Sequence, residues 1–308
     1  MERICRAVMF AEYGDAEVLR VAERAVPEPG PGQVRIAVRA AGVNPIDWKI
    51  RSGAMAAVMP VDLPAVPGVD VAGVVECVGP GVTDVAVGDD VFGKAVSGSY
   101  AELALANLDA IAAKPEAVSW EAAAALPVAA TTAYHAFALL GLARGETIVI
   151  DGAAGGVGTV AVQVARHRGL TVIGTAGPRN HDYLRSLGAI PVAYGDGLVE
   201  RVRAVAAHGV DAAVDAAGRG SLPALVELTG NPHRVVSLAD ASAESLGARF
   251  VYGEPGDMRG ILDEVAALVA AGTITVTIAR TYPLAGAAAA HRDSQTGHVR
   301  GKLVLTPI

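Results

Sequence analysis

The residues best suited to chemistry stand in one octet, Asp151-Gly152-Ala153-Ala154-Gly155-Gly156-Val157-Gly158. It follows an apolar run, TIVID (147 to 151), and opens a stretch in which Val157, Val160, Ala161, Val164 and Ala165 repeat at the spacing of a buried helix face. Such a turn cradles a pyrophosphate. Gly155, Gly156 and Gly158 let the backbone approach where a Cβ would intervene, and the amides of a helix N-terminus supply donors. Against the dinucleotide fingerprint GxGxxG, Ala153 stands in place of the first glycine. The specificity comes from order: strand, turn, helix and second strand follow one another within about 30 residues. A ligand-free glycine-rich turn is the competing reading, and that order weighs against it.

The second strand, TVIGT (171 to 175), continues into AGPRNH without a carboxylate. An acidic residue at this place accepts hydrogen bonds from the adenosine ribose of NAD. Arg179 follows instead and either pairs with a 2′-phosphate or stands as a solvated loop arginine. The first option makes NADPH the expected cofactor.

Other chemistries find little support. The only cysteines are Cys5 and Cys77, too few for a disulfide framework or a four-cysteine zinc lobe, although one bridge between them stays open. The seven histidines, at 135, 167, 181, 208, 233, 291 and 298, show no ligand-like spacing. No nucleophile, base and orienter assemble from the motifs, so covalent catalysis is not expected. A net charge of -7 and only four scattered lysines (Lys49, Lys94, Lys114, Lys302) leave no basic stripe for nucleic acid. The N-terminal stretch MERICRAVMFAEYG lacks the apolar core of a signal peptide, and no uninterrupted apolar run is long enough to span a membrane. The expectation is a cytoplasmic protein acting on a small molecule, with neither nucleic acid nor membrane as partner.

At 308 residues, 52% of them apolar, the chain suits two domains. Up to about residue 120, short runs separated by Pro and Gly read as a small β-barrel or sandwich: VLRVAER, QVRIAVRAAGV, VDVAGVVECVG, GDDVFG and GSYAELALA. In SWEAAAALPVAATTAYHAFALL the period becomes helical, with Ser119 as N-cap and Pro127 as a break, so a boundary is expected near residue 121. Six strand candidates then alternate with helical patterns: TIVID, TVIGT, IPVAY (190 to 194), DAAVD (211 to 215), HRVVSL (233 to 238) and ARFVY (248 to 252). They predict a doubly wound parallel sheet, an α/β fold. An amphipathic helix, an extended piece, an Ala-rich helix and the strand KLVLTPI complete the chain, and the terminal strands are placed to rejoin the first domain.

The motifs GVNPIDWKIRSG (42 to 53), PAVPGVDVAGVVECVG (64 to 79), VGDDVFG, GSYAEL, LPVAATTAYHA, DGAAGGVG, TVIGTAGPRN and HVRGKLVL resemble those of the medium-chain dehydrogenase/reductases, in the zinc-independent quinone oxidoreductase branch. The resemblance runs over nearly the whole length. It implies a GroES-like β-rich substrate domain (1–121 and 266–308) interrupted by a six-stranded Rossmann domain (122–265). Where zinc alcohol dehydrogenases of the superfamily carry ligands, this chain has Asn44, Val69 in place of the His, and no Cys in LPVAATTAYHA, so no metal is expected.

Carried over residue by residue, the resemblance makes Thr132, Gly155, Gly156, Val157, Gly158, Thr175, Gly177, Arg179, Tyr194, Ser237, Leu238, Phe250, Val251, Arg300 and Lys302 cofactor contacts. Trp48 and Tyr134 become substrate contacts, and Asn44 and Lys49 the candidate catalytic donors. Asn44 alternatively holds a turn before Pro45, Lys49 is alternatively a surface residue, and Trp48 alternatively fills the core. Asp47 is expected to organise this loop by accepting backbone hydrogen bonds. The branch also differs here: a tyrosine is frequent where Lys49 stands, and Ser or Thr where Gly177 stands.

Without a Lewis acid the expected reaction is conjugate reduction of a quinone or enone by hydride transfer, with donors holding developing enolate charge and water supplying the proton. Two alternatives remain open: a catalytically idle NADPH-binding regulatory or structural protein, and an enoyl-thioester or ketone reductase of natural-product biosynthesis. The resemblance further implies a homodimer joined through the edge strand ARFVY.

Overall fold

The computed structural model describes residues 3–251 and 253–307, so Tyr252, the last residue of the expected strand 248 to 252, lies outside the described residues. Two compact units divide the chain. One comprises the residues up to Val128 together with those from Asp257 onward, and the other is Ala129–Gly256. The expected borders lay at 121/122 and 265/266. The difference comes from two helices, Trp120–Ala124 and Met258–Ala270, that straddle the expected borders and lie whole within the first unit.

The first unit contains strands β1 (Ile4–Met9), β2 (Arg20–Ala25) and β3 (Gln33–Val43), helix α1 (Pro45–Arg51), strands β4 (Asp70–Val78), β5 (Asp90–Ala95) and β6 (Leu103–Ala113), and helix α2 (Trp120–Ala124). β3 is its spine. One edge of β3 pairs with β4, and the other pairs with β6 from Gln33 to Ala37 and with the C-terminal strand from Ala41 to Val43. Because β4 also pairs with β5 and β5 with β6, the antiparallel cycle closes on itself and leaves these four strands little free edge. Val34, Ile36 and Val38 point into the core at two-residue spacing, where Val71, Val75, Val91 and Ile111 join them. β1 and β2 form a separate antiparallel hairpin.

Helix α3 (Pro127–Leu140) leads into the second unit, which holds β7 (Thr147–Asp151), α4 (Gly156–His167), β8 (Thr171–Thr175), α5 (His181–Ser186), β9 (Ile190–Val192), α6 (Leu198–Val205), β10 (Ala212–Asp215), α7 (Leu222–Thr229), β11 (Val235–Ser237) and β12 (Arg249–Phe250). The strands lie in the order β12-β11-β10-β7-β8-β9, all parallel. This is a doubly wound sheet whose order reverses beside β7, where ligands bind in such folds. All five residues of β7 are buried, as a central strand covered on both faces requires.

The chain returns to the first unit with α8 (Met258–Ala270), β13 (Ile278–Pro283), α9 (Ala287–Gln295) and β14 (Lys302–Thr306). α8 buries Leu262, Val265 and Ala266, a spacing of three and four, and packs against β6. β14 lies between β13 and β3, so the C-terminal strand rejoins the N-terminal sheet. Among the described residues no helix is long and apolar enough to cross a membrane. Cys5 and Cys77 are both free thiols.

Candidate functional site

In the second unit the glycine turn has two structural hinges. Gly152 takes φ +73°, and its carbonyl accepts the Gly155 amide at 3.0 Å. The left-handed turn expected of the first fingerprint glycine thus falls one residue earlier, at Gly152, which leaves Ala153 free to be fully buried against the sheet. Gly158 serves close packing: a Cβ there would stand 2.3 Å from the Gly152 carbonyl oxygen. Gly155 is less confined, its nearest neighbour for a Cβ being that same oxygen at 3.3 Å. Gly155 caps α4, so the amides of Gly156, Val157 and Gly158 have no acceptor within the helix and are donors for an anion.

Below this turn a polar row crosses the strand ends. Asp215 of β10 pairs in register with Asp151 of β7 on one side and with Ser237 of β11 on the other. All three are buried, as is Thr175 at the end of β8. The Thr175 hydroxyl donates to Asp151, and the Ser237 hydroxyl donates to Asp215 at 2.8 Å. Asp215 also accepts the amides of Ala217 at 3.0 Å and Gly218 at 2.8 Å. Burial, with the neighbouring Asp215 charge, raises the Asp151 pKa against the hydrogen bonds from Thr175, Ser221 and Gly152. Thr175 and Ser237 therefore use their hydroxyls to organise the floor of the turn. Asp151 stands in the expected octet, but its pairing with Asp215 was not foreseen, because registration across two strands is invisible in sequence.

At the far end of β8, Gly177 precedes a 3-10 turn, Pro178–Asn180, on which Arg179 is exposed. Tyr194, just after β9, is brought to the same place: a Cβ on Gly177 would lie 3.7 Å from its hydroxyl oxygen. Leu238 and Val251, both half-buried, follow β11 and β12, the Leu238 amide on the Asp215 carbonyl at 2.8 Å and the Val251 amide on the Ser237 carbonyl at 3.0 Å; Phe250 is half-buried beside them. Thr132 is half-buried on α3. Tyr134 does not join this group. Its buried ring lies under the Arg168 guanidinium, 4.5 Å from the ring centroid. Arg168 caps α4, about 18 Å along the helix from the glycine turn at 1.5 Å per residue.

In the first unit the segment from Asn44 to Lys49, read as a loop from sequence, is the start of a helix. Asn44 precedes α1 and Pro45 takes the first helical position, where its missing N–H costs nothing. Asp47 accepts the Asn44 amide at 2.8 Å, the organising role expected of it. The Asn44 side chain is committed inward at both ends. Its Nδ2 donates to Asp70 Oδ2 at 2.8 Å, while its Oδ1 accepts from the Lys302 ammonium at 2.5 Å. Lys302 also donates to Asp70 Oδ2 at 3.1 Å, and Asp70 Oδ1 accepts the Val128 amide at 2.8 Å. Lys302 thus spends its charge inside this buried cluster, a place its expected role as a cofactor contact does not foresee. Arg300, by contrast, is exposed.

A second branch leads deeper. The Tyr100 hydroxyl donates to Asp47 at 2.9 Å and lies 3.3 Å from His291 Nε2, and Arg51, with no exposed surface, bonds the Gly14 carbonyl at 2.7 Å. Burial pushes the Asp47 carboxyl up to about 7 and the His291 imidazole down to about 3. Lys49 and Trp48 are half-buried, with the Lys49 ammonium 5.9 Å from the indole centroid. Among the described residues, no three His, Cys, Asp or Glu side chains converge as metal ligands would.

Comparison with known proteins gives a consistent set of likenesses. Residues 30–116 match the model of the alcohol dehydrogenase GroES-like domain, and residues 187–305 that of the zinc-binding dehydrogenases. The chain is 33% identical to a quinone oxidoreductase of Mus musculus over 99% of its own length and 98% of the relative's. It is also 39% identical to a polyketide synthase of Streptomyces halstedii over 89% of its length, and spans 5% of that much longer protein. Among solved structures, a quinone oxidoreductase from Coxiella burnetii superposes with a TM-score of 0.89 at 32% identity, covering 99% of this chain and all of the other. A mycobacterial protein solved in complex with NADPH superposes with a TM-score of 0.87 at 30% identity, covering 98% of this chain and all of that one.

Proposed function

The chain belongs to the medium-chain dehydrogenase/reductase family, in its quinone oxidoreductase branch, and from that premise we propose that it is an NADPH-dependent reductase of quinones or electron-poor alkenes that works without a metal ion. One observation carries the cofactor half. The second strand of the dinucleotide fold ends on Thr175 and a segment without a carboxylate, with Arg179 exposed and the Tyr194 hydroxyl beside Gly177. An NADH site asks for an acid there; an arginine and a phenol suit a 2′-phosphate.

The residues present fit NADPH. The amides of Gly156 to Gly158 receive the pyrophosphate, Gly155 gives it room, and Gly177, Arg179 and Tyr194 receive the 2′-phosphate. When bound, the cofactor supplies the hydride. They do not fit zinc: Asn44 presents an amide already shared between Asp70 and Lys302, Val69 has no donor atom, and the Lys302 ammonium neutralises Asp70. A reaction without that Lewis acid favours an acceptor already electron-poor. In it Lys49 is the donor toward developing enolate charge, and Asn44 holds the entry to α1.

The polyketide synthase relative favours a second reading, reduction of an enoyl thioester, which uses the same cofactor on a related alkene. NADPH consumption with a quinone, an enone, an enoyl thioester and a saturated ketone separates the readings. Turnover confined to the thioester selects the second. No turnover with any of them, despite tight NADPH binding, selects a catalytically idle cofactor-binding protein. We also read β12, at the sheet edge, as the dimer contact; a monomeric sedimentation value contradicts it.

A further inference from the structure

Arg201, on α6, lies outside every motif of the sequence, yet its side chain gathers four consecutive backbone carbonyls. Nε donates to Ala193 O at 3.0 Å, Nη2 to Tyr194 O at 3.3 Å and Gly195 O at 3.1 Å, and Nη1 to Asp196 O at 2.7 Å. The segment turns these oxygens toward one point because Gly195 and Gly197 adopt φ of +89° and +76°. A planar guanidinium with five donors can serve four acceptors at once, whereas an ammonium presents three donors from a single point.

What this segment carries is Tyr194. The tyrosine is 58% exposed, so packing does not hold its ring. The position of its hydroxyl beside Gly177 is therefore set by the backbone on which it stands, and Arg201 fixes that backbone. Two backbone hydrogen bonds flank the segment: the Ala176 amide on the Val192 carbonyl at 3.0 Å, which ties the loop after β8 to the end of β9, and the Leu198 amide on the Gly195 carbonyl at 3.0 Å, which closes the turn into α6; the carbonyls of Ala193, Tyr194 and Asp196 are gathered by Arg201.

We propose that Arg201 is a positioning residue for recognition of the 2′-phosphate of NADPH: by clamping residues 193–196 it holds the Tyr194 hydroxyl where that phosphate is received. Its guanidinium is spent on carbonyls, so it acts through Tyr194. This rests on the NADPH reading above and goes beyond it by naming what fixes the pocket.

Calorimetric titration of the wild type, Arg201→Ala and Arg201→Lys with NADPH and with NADH tests it. Loss of one charge-assisted hydrogen bond is worth about tenfold. Arg201→Ala is therefore expected to lower the NADPH-to-NADH affinity ratio by about tenfold, leaving NADH affinity unchanged. Arg201→Lys, which retains the charge, is expected to lower the ratio too. In a Tyr194→Ala background the effect of Arg201→Ala on the ratio is expected to vanish. An unchanged ratio in both variants, equal weakening of both cofactors, or an undiminished effect without Tyr194 overturns the proposal. Equal affinity of the wild type for NADH and NADPH overturns the underlying cofactor reading with it, and that result is read before any variant is made.

Discussion

Asn44 and Lys302, 258 positions apart in the chain, meet inside the first unit with the Lys302 ammonium on the Asn44 side-chain oxygen at 2.5 Å and on Asp70 at 3.1 Å. All three side chains are buried. Removing one member of such a set leaves the others desolvated and unpaired, at a cost of about 3–5 kcal/mol. Lys302→Met is expected to lose stability on that scale in urea denaturation, with NADPH affinity retained by the folded fraction. A stable variant with weakened NADPH binding contradicts this and returns Lys302 to the role of a cofactor contact.

The two glycines of the turn are expected to respond differently to alanine. At Gly158 the new methyl meets the Gly152 carbonyl at 2.3 Å, a backbone atom that cannot swing aside, so Gly158→Ala destabilises the fold by roughly 1–3 kcal/mol or more. At Gly155 the nearest atom, the same carbonyl oxygen, is at 3.3 Å, so a small shift accommodates a methyl, which then occupies space beside the helix N-terminus that receives an anion. Gly155→Ala is expected to cost less stability than Gly158→Ala and to bind NADPH at least about tenfold more weakly. Equal effects of the two substitutions on stability count against the assignment.

Gly177 offers a gain. Its φ of −63° suits any residue, and among the described residues a Cβ there meets Tyr194 alone, at 3.7 and 3.9 Å. Gly177→Ser adds a hydroxyl beside the phenol and is expected to tighten NADPH a few-fold, about 1 kcal/mol for one net hydrogen bond, without changing NADH. Tightening of both cofactors alike places the effect elsewhere.

Two buried groups give stability opposite slopes with pH. Asp47, pushed up to about 7, keeps its proton in the folded chain where an unfolded aspartate loses it near pH 4. Stability therefore falls as pH rises between those values. His291, pushed down to about 3, stays neutral where an unfolded histidine binds a proton below about 6.5, so its contribution rises from pH 3 to about 6.5. Asp47→Asn removes the falling slope. Its stability is expected to climb between about pH 4 and 6.5 and then level, gaining a few kcal/mol over the wild type at pH 8. A pH profile parallel to the wild type contradicts the buried, protonated Asp47.

The dinucleotide fold was legible because its signals are local. TIVID and TVIGT match β7 and β8 residue for residue, and the glycines between them need only neighbours in the chain to be recognised. The start of α1 was not, since Asn-Pro reads equally as a turn; what makes it a helix is Asp47 returning to the Asn44 amide. The position of Asn44 depends on Asp70 and Lys302, which no spacing rule connects to it. Arg201 and the registered pair Asp151 and Asp215 belong to the same class: their roles arise from strands and loops brought together by folding. The early border at 121/122 followed the change of period at α2, yet that helix packs on β3 and β4 and stays with the first unit.

The most direct test of a metal-free NADPH reductase is turnover by chelator-treated protein, followed as loss of reduced nicotinamide, with NADPH or NADH as donor and a quinone, an enone or a saturated ketone as acceptor. The expected result is reduction of the quinone or enone with NADPH preferred, unchanged by the chelator, and no reduction of the ketone. Activity that requires added zinc, or NADH serving as well as NADPH, contradicts it.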